Sequence, residues 1–206
     1  MKLVKITFLV TIIVLLNSCA SKYNIINPER LNYNSKTTNQ GVTLNYKYNL
    51  LDKKYAKKEV KRGVKLVAIK ITNNSEKDLL FGRDMNLSYE NGNDLVILEE
   101  EQVFSSIKQN TATYLLYLLL TPMTFNVNST NSNGFQETKS STPIGLVVGP
   151  GLAVGNMIAA GSANKKLKKE LLDFDILGTS IKKGETVYGL IGIKSDNYDA
   201  IKIKIE

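Results

Sequence analysis

The sequence predicts a mainly β fold, a sandwich of about seven strands interrupted by an apolar, glycine-rich helical hairpin. Three observations carry that expectation: short stretches with period-two alternation, Gly- and Asn-containing turns between them, and one 55-residue stretch, 110–164, whose only charges are Glu137 and Lys139. The chain of 206 residues is 43% hydrophobic and 22% charged, which is enough apolar material for an ordinary core. It has no His and a single Cys. Those counts exclude a disulfide scaffold and any chemistry built on imidazole.

Residues 1–18 read as a leader. Lys2 and Lys5 precede an apolar run from Ile6 to Leu16 broken only by Thr7 and Thr11, and Leu16-Asn17-Ser18-Cys19 follows. A basic start, a short apolar stretch and a small residue before a cut site make a secretory signal peptide, too short to span a bilayer. The tetrapeptide Leu16-Asn17-Ser18-Cys19 resembles the lipobox of bacterial lipoproteins. That resemblance implies cleavage between Ser18 and Cys19, a diacylglycerol on the Cys19 sulfur, and often a further acyl chain such as palmitate on its new amino group. With Ala20 following Cys19 in place of an Asp, it also implies a location in the cell envelope, at the outer membrane. Each buried methylene contributes about 0.8 kcal/mol, so two or three acyl chains hold a protein durably at a membrane. Cleavage would leave 188 residues, with 25 basic against 19 acidic side chains and no cysteine beyond the acylated one.

The stretch 19–41 is rich in Asn, Ser, Thr and Lys and shows no sustained period, which predicts a flexible tether spanning roughly 25 Å. Strands follow. Val42, Leu44, Tyr46 and Tyr48 alternate with polar residues, and 64–72 is β-branched and nearly all apolar. Stretches 79–89 and 94–98 flank Asn91-Gly92-Asn93, a hairpin composition. Strands are further expected at 171–177, at 187–193 after Lys182-Lys183-Gly184-Glu185, and at 201–205, where Ile alternates with Lys.

In the insert 110–164, Leu115, Leu116, Leu118, Leu119 and Leu120 mark a first helical arm within 112–125. Residues 143–163 mark a second, punctuated by Gly145, Gly149, Gly151, Gly155 and Gly161, and the Asn/Ser/Thr-rich stretch 126–142 lies between them. The hairpin is expected to pack on the sandwich or on another copy; contact with lipid and a mobile loop are the alternatives. Pro150 and the short first arm speak against a membrane span. The glycine spacing resembles that of glycine-zipper segments of envelope proteins.

Without tether and insert, the β domain 42–206 holds about 110 residues, the size of an immunoglobulin-like sandwich. Asn73-Asn74-Ser75 after a strand, the loop with Asn91-Gly92, and Lys183-Gly184-Glu185-Thr186 before an apolar strand resemble the small immunoglobulin-like domains of bacterial lipoproteins. The resemblance implies architecture alone.

Candidate chemistry is sparse. Glu99-Glu100-Glu101 is the densest carboxylate run and reads as solvated charge ending a strand. Asp84, Glu90 and Asp94 lack the spacing of a calcium loop. No metal ligand set, cofactor motif or catalytic residue stands out, which predicts no enzyme and no cofactor. Lys53, Lys54, Lys57, Lys58, Lys61 and Arg62 place positive charge along a short helix, a surface suited to anionic lipid headgroups or to solvent. Nucleic acid is a poor partner for an exported chain without an aromatic stacking platform. The expectation is thus an anchored envelope lipoprotein with a binding or structural role, in contact with membrane lipid through Cys19. An envelope protein or a second copy would be met through 110–164. The alternatives are a membrane-active or self-assembling protein using the glycine-rich insert and, further off, a carboxylate-dependent hydrolase of envelope glycan.

Overall fold

A computed structural model of the chain describes residues 19–206. The signal peptide expected at 1–18 lies outside the described residues. In chain order the described strands are β1 (Ser35–Asn39), β2 (Val42–Lys47), β3 (Val64–Asn73), β4 (Leu79–Leu80), β5 (Met85–Tyr89), β6 (Ile97–Leu98), β7 (Phe125–Thr130), β8 (Gln136–Thr142), β9 (Ser180–Ile181), β10 (Thr186–Lys194) and β11 (Ile201–Ile205). Helices are α1 (Lys53–Arg62), α2 (Glu100–Ile107) and α3 (Gly145–Asp173), with 3-10 segments at Pro28–Arg30 and Thr111–Leu120. The fold is β-rich but mixed, built from several small antiparallel sheets. Two compact units divide the described residues: 19–22 with 110–162, and 23–109 with 163–206.

The larger unit is organised on a five-stranded antiparallel sheet of order β1-β2-β3-β10-β6. β3 is its central strand, and burial on both faces explains its largely apolar sequence, interrupted by Lys65 and Lys70. Val67, Ile69 and Ile71 enter one core, and Val64, Leu66 and Ala68 the other. The β5–β11 ribbon belongs to the first core, where Met85, Leu87, Ile201 and Ile203 pack with Val42 and Leu44. Alternation of Ile with Lys along β11 turns one face inward and leaves Lys202 and Lys204 in water. The second core holds Tyr55 of α1, Val103 and Ile107 of α2, and Leu167 and Leu171 of α3.

Residues 19–41 differ from the tether that their composition predicts. Tyr23 and Ile26 are buried in the second core, and β1 pairs with β2 through the turn Gln40-Gly41. Both turn residues have positive φ, 45° and 82°, as a two-residue type I′ hairpin requires. β1 is an edge strand, half exposed along its length, so no apolar alternation marks it in the sequence.

The expected strands at 42–48, 64–72, 187–193 and 201–205 are β2, β3, β10 and β11 to within a few residues. The stretch 79–89 divides into β4 and β5, because Asp84 Oδ2 accepts the Leu80 amide at 2.8 Å and the Arg83 and Asp84 amides turn back to the Leu80 carbonyl. Only Ile97–Leu98 of 94–98 joins a sheet. Residues 171–177 are not a strand: Ala163, Leu167 and Leu171 continue a buried i, i+4, i+8 stripe of α3 as far as Asp173.

The smaller unit contains both helical arms expected in 110–164, but the polar stretch between them is a β-hairpin. β7 and β8 pair antiparallel with a bulge at Val127/Asn128. Asn131 closes its turn by accepting from the Asn133 and Phe135 amides, local side-chain bonding that favours a turn over helix. Pro150 lies inside α3, within its second turn, where it withholds one amide hydrogen from the Leu146 carbonyl and leaves the helix continuous.

Candidate membrane-anchoring site

Cys19 is exposed and belongs to the smaller unit. Its sulfur lies 4.0 Å from the Tyr117 hydroxyl, and the Ala20 amide donates to Asn156 Oδ1 at 2.6 Å. Asn156 is itself oriented by donation from its Nδ2 to the Leu152 carbonyl. The start of the described chain is thereby held between the 3-10 arm and α3.

The 3-10 arm has three residues per turn, so Tyr114, Tyr117 and Leu120 form one row that faces α3. The Tyr114 and Tyr117 rings are nearly parallel, with centroids 6.5 Å apart. Burial, and next the Cys19 sulfur nearby, push the Tyr114 hydroxyl up. On α3 the facing row is Gly149, Ala153 and Ala160, with Leu152 and Met157 at its margin. Small residues are required there. A Cβ on Gly145 would stand 2.1 Å from the Leu120 carbonyl oxygen, and one on Gly149 would stand 3.0 Å from that of Tyr117. The glycine pair at i, i+4 thus serves contact between the two arms of one chain, whereas Gly151, Gly155 and Gly161 face open space.

The basic residues do share a helix. Lys53, Lys57, Lys61 and Arg62 are exposed on α1, while Tyr55 and Glu59 turn inward. Positive charge is crowded around Lys58, whose amine is pushed down by burial first and then by Arg62, Lys108 and Lys61.

The carboxylate run follows directly on β6, as its reading at a strand end expects, and also opens a helix. Glu99 is the N-cap of α2, its amide donating to Gln102 Oε1 at 3.2 Å, and Glu100 and Glu101 occupy the first turn, where the helix dipole favours negative charge. Glu101 meets Lys168 at 2.7 Å, and Glu100 lines a recess of about 10 Å³ with Asp175 and Val103, room for one water. Asp84, Glu90 and Asp94 do not converge on one point: Asp84 pairs with Arg83, Glu90 with Lys202 and Asp94 with Lys204. The Arg83 guanidinium holds the Asp84 carboxyl down at about 2. Among the described residues, no group of three or more carboxylates, thiols or imidazoles is placed to hold a metal ion.

Sequence reasoning missed the buried polar groups of the second core. Asn164 accepts from the Gln109 amide at 2.8 Å and from the Tyr55 hydroxyl at 3.1 Å, and returns a bond from Nδ2 to the Gln109 carbonyl at 2.8 Å. Glu170 is buried beside Tyr23, with neither carboxylate oxygen at hydrogen-bond geometry to a donor. Burial raises its pKa, which Tyr23 and the Ile26 backbone partly offset. Glu59 accepts the Leu66 amide at 2.7 Å and is pushed up to about 7 by burial. The signal was helical spacing: Asn164 and Glu170 fall on the same face of α3 as Ala163, Leu167 and Leu171.

Comparison of the chain with protein-family models, with curated proteins and with solved structures returned no significant match.

Proposed function

We propose that the chain is an exported lipoprotein of the bacterial envelope, anchored by acyl chains on Cys19 and serving a binding or structural role. The observation that supports it is the position of the lone sulfur: the only cysteine of the chain closes Leu16-Asn17-Ser18-Cys19, directly after an apolar leader, and is exposed. Thioether acylation needs an accessible thiol with a small residue before it, and both conditions are met. On this reading the β-rich unit is an immunoglobulin-like sandwich in which the five-stranded sheet and the β5–β11 ribbon enclose the first core, with helices added on the outer face of the sheet. The exposed basic row of α1 is the surface suited to acidic groups of the envelope.

Mass spectrometry of the mature protein tests the anchor. An N-terminus at Cys19 carrying diacylglycerol is the expected result, and Cys19→Ser should leave the leader uncleaved. A mature chain beginning elsewhere, or a bare thiol at position 19, would refute it.

A further inference from the structure

The smaller unit leaves an unusual share of its apolar side chains in water. With 114, 117 and 120 turned toward α3, three-residue periodicity puts Leu115 and Leu118 on a second row and Leu116 and Leu119 on a third. All four are exposed, Leu119 by 74%. On α3, Val147, Val154 and Ile158 recur at i, i+7 and i+11, a single stripe opposite the buried face, and Val147 is 77% exposed. No charge interrupts residues 140–164, and the sequence then turns abruptly basic at Lys165, Lys166, Lys168 and Lys169.

We infer that the 3-10 arm and the apolar part of α3 insert into the hydrocarbon of a lipid bilayer. Three properties select lipid over a second copy of the chain. The apolar rows point in more than one direction, so a single two-fold contact would cover one row and leave the others wet, whereas acyl chains surround all of them. Both arms are helical, so apart from the Leu146 carbonyl, which Pro150 leaves without its i+4 amide, their backbone groups are satisfied internally, as hydrocarbon requires. The polar hairpin β7–β8 and the lysines bound the apolar stretch at its two ends, where headgroups would lie. Nineteen residues from 145 to 163 rise about 28 Å, enough to reach deep into one leaflet or through both. Cys19 sits on the same unit, so this surface deepens the anchor proposed above: protein and acyl chains enter the same membrane.

The experiment uses the full-length protein, processed in a bacterial envelope and reconstituted in phosphatidylethanolamine/phosphatidylglycerol vesicles. Leu116→Cys, Leu119→Cys and Val147→Cys each carry an environment-sensitive thiol fluorophore, and Lys139→Cys on the polar hairpin is the reference. Expected are blue-shifted emission and loss of most of it when doxyl-labelled lipid is included at the three apolar positions, with no loss at 139. Water-like, unquenched emission at those positions overturns the inference. So does shielding without lipid quenching accompanied by disulfide cross-links between copies, since a second copy would then be the occupant. The unsubstituted chain separates this inference from the anchor: an acylated Cys19 takes no label. If Cys19 is labelled, the anchor fails and the same three positions are read in a Cys19→Ala background.

Discussion

The Leu66 amide donates to Glu59 Oε1 at 2.7 Å, tying a carboxylate of α1 to the central strand of the sheet. Glu59 is only 3% exposed, and its pKa rises from 4.5 to about 7 because burial outweighs both that bond and the nearby Lys65. Between those values the folded state keeps a proton that the unfolded chain has lost, so stability is greatest below pH 4.5 and falls as pH rises to 7. The loss is about 3 kcal/mol. Glu170, also raised, acts in the same direction. Urea midpoints should therefore fall between pH 5 and pH 8, and Glu59→Gln, which can still accept from Leu66, should flatten the slope and raise the midpoint at pH 8. An unchanged slope in that variant would contradict the assignment.

Val103 of α2 packs on β10 where the strand has no side chain. A Cβ on Gly192 would stand 2.0 Å from Val103 Cγ2, so Gly192→Ala forces either the helix or the strand to move. Overpacking of this kind costs about 3 kcal/mol. Gly192→Ala combined with Val103→Ala should lose less than the two single variants added together, because the second change removes the atom that the first collides with. Additive losses in chemical denaturation would show that the contact is not the cause.

Strands with burial on alternate residues were legible, and the polar, exposed strands β1, β7 and β8 were not. β2, β3, β10 and β11 carry their burial as apolar alternation or runs, whereas β1 is polar at an edge and reads as tether. The expected strand at 171–177 failed because Leu171, Leu172 and Ile176 suit either period over a short window, and only the stripe beginning at Ala163 decides for helix. At the proposed anchor, Cys19 stands out in the sequence by its tetrapeptide alone. Its contacts with Tyr117 and, through Ala20, with Asn156 were not legible there, since they join residues 98 and 136 positions apart.

Asn164 shows what such long-range pairing contributes. Its side chain satisfies both backbone groups of Gln109 and the hydroxyl of Tyr55, while Gln109 Nε2 donates back to Tyr55 at 3.0 Å. All three residues are buried, so removing Asn164 strands a backbone N–H and C=O away from water. Each orphaned group costs about 1–3 kcal/mol. Asn164→Leu fills the volume but supplies no partner, and should lower stability by about 3 kcal/mol. Tyr55→Phe removes one hydroxyl and leaves the Asn164–Gln109 pair intact, so it should cost about 1 kcal/mol. Hydrogen exchange adds a reading that global stability does not give: the Gln109 amide should lose protection in Asn164→Leu and retain it in Tyr55→Phe. Equal protection of that amide in both variants would mean that Asn164 is not what holds residue 109 in place.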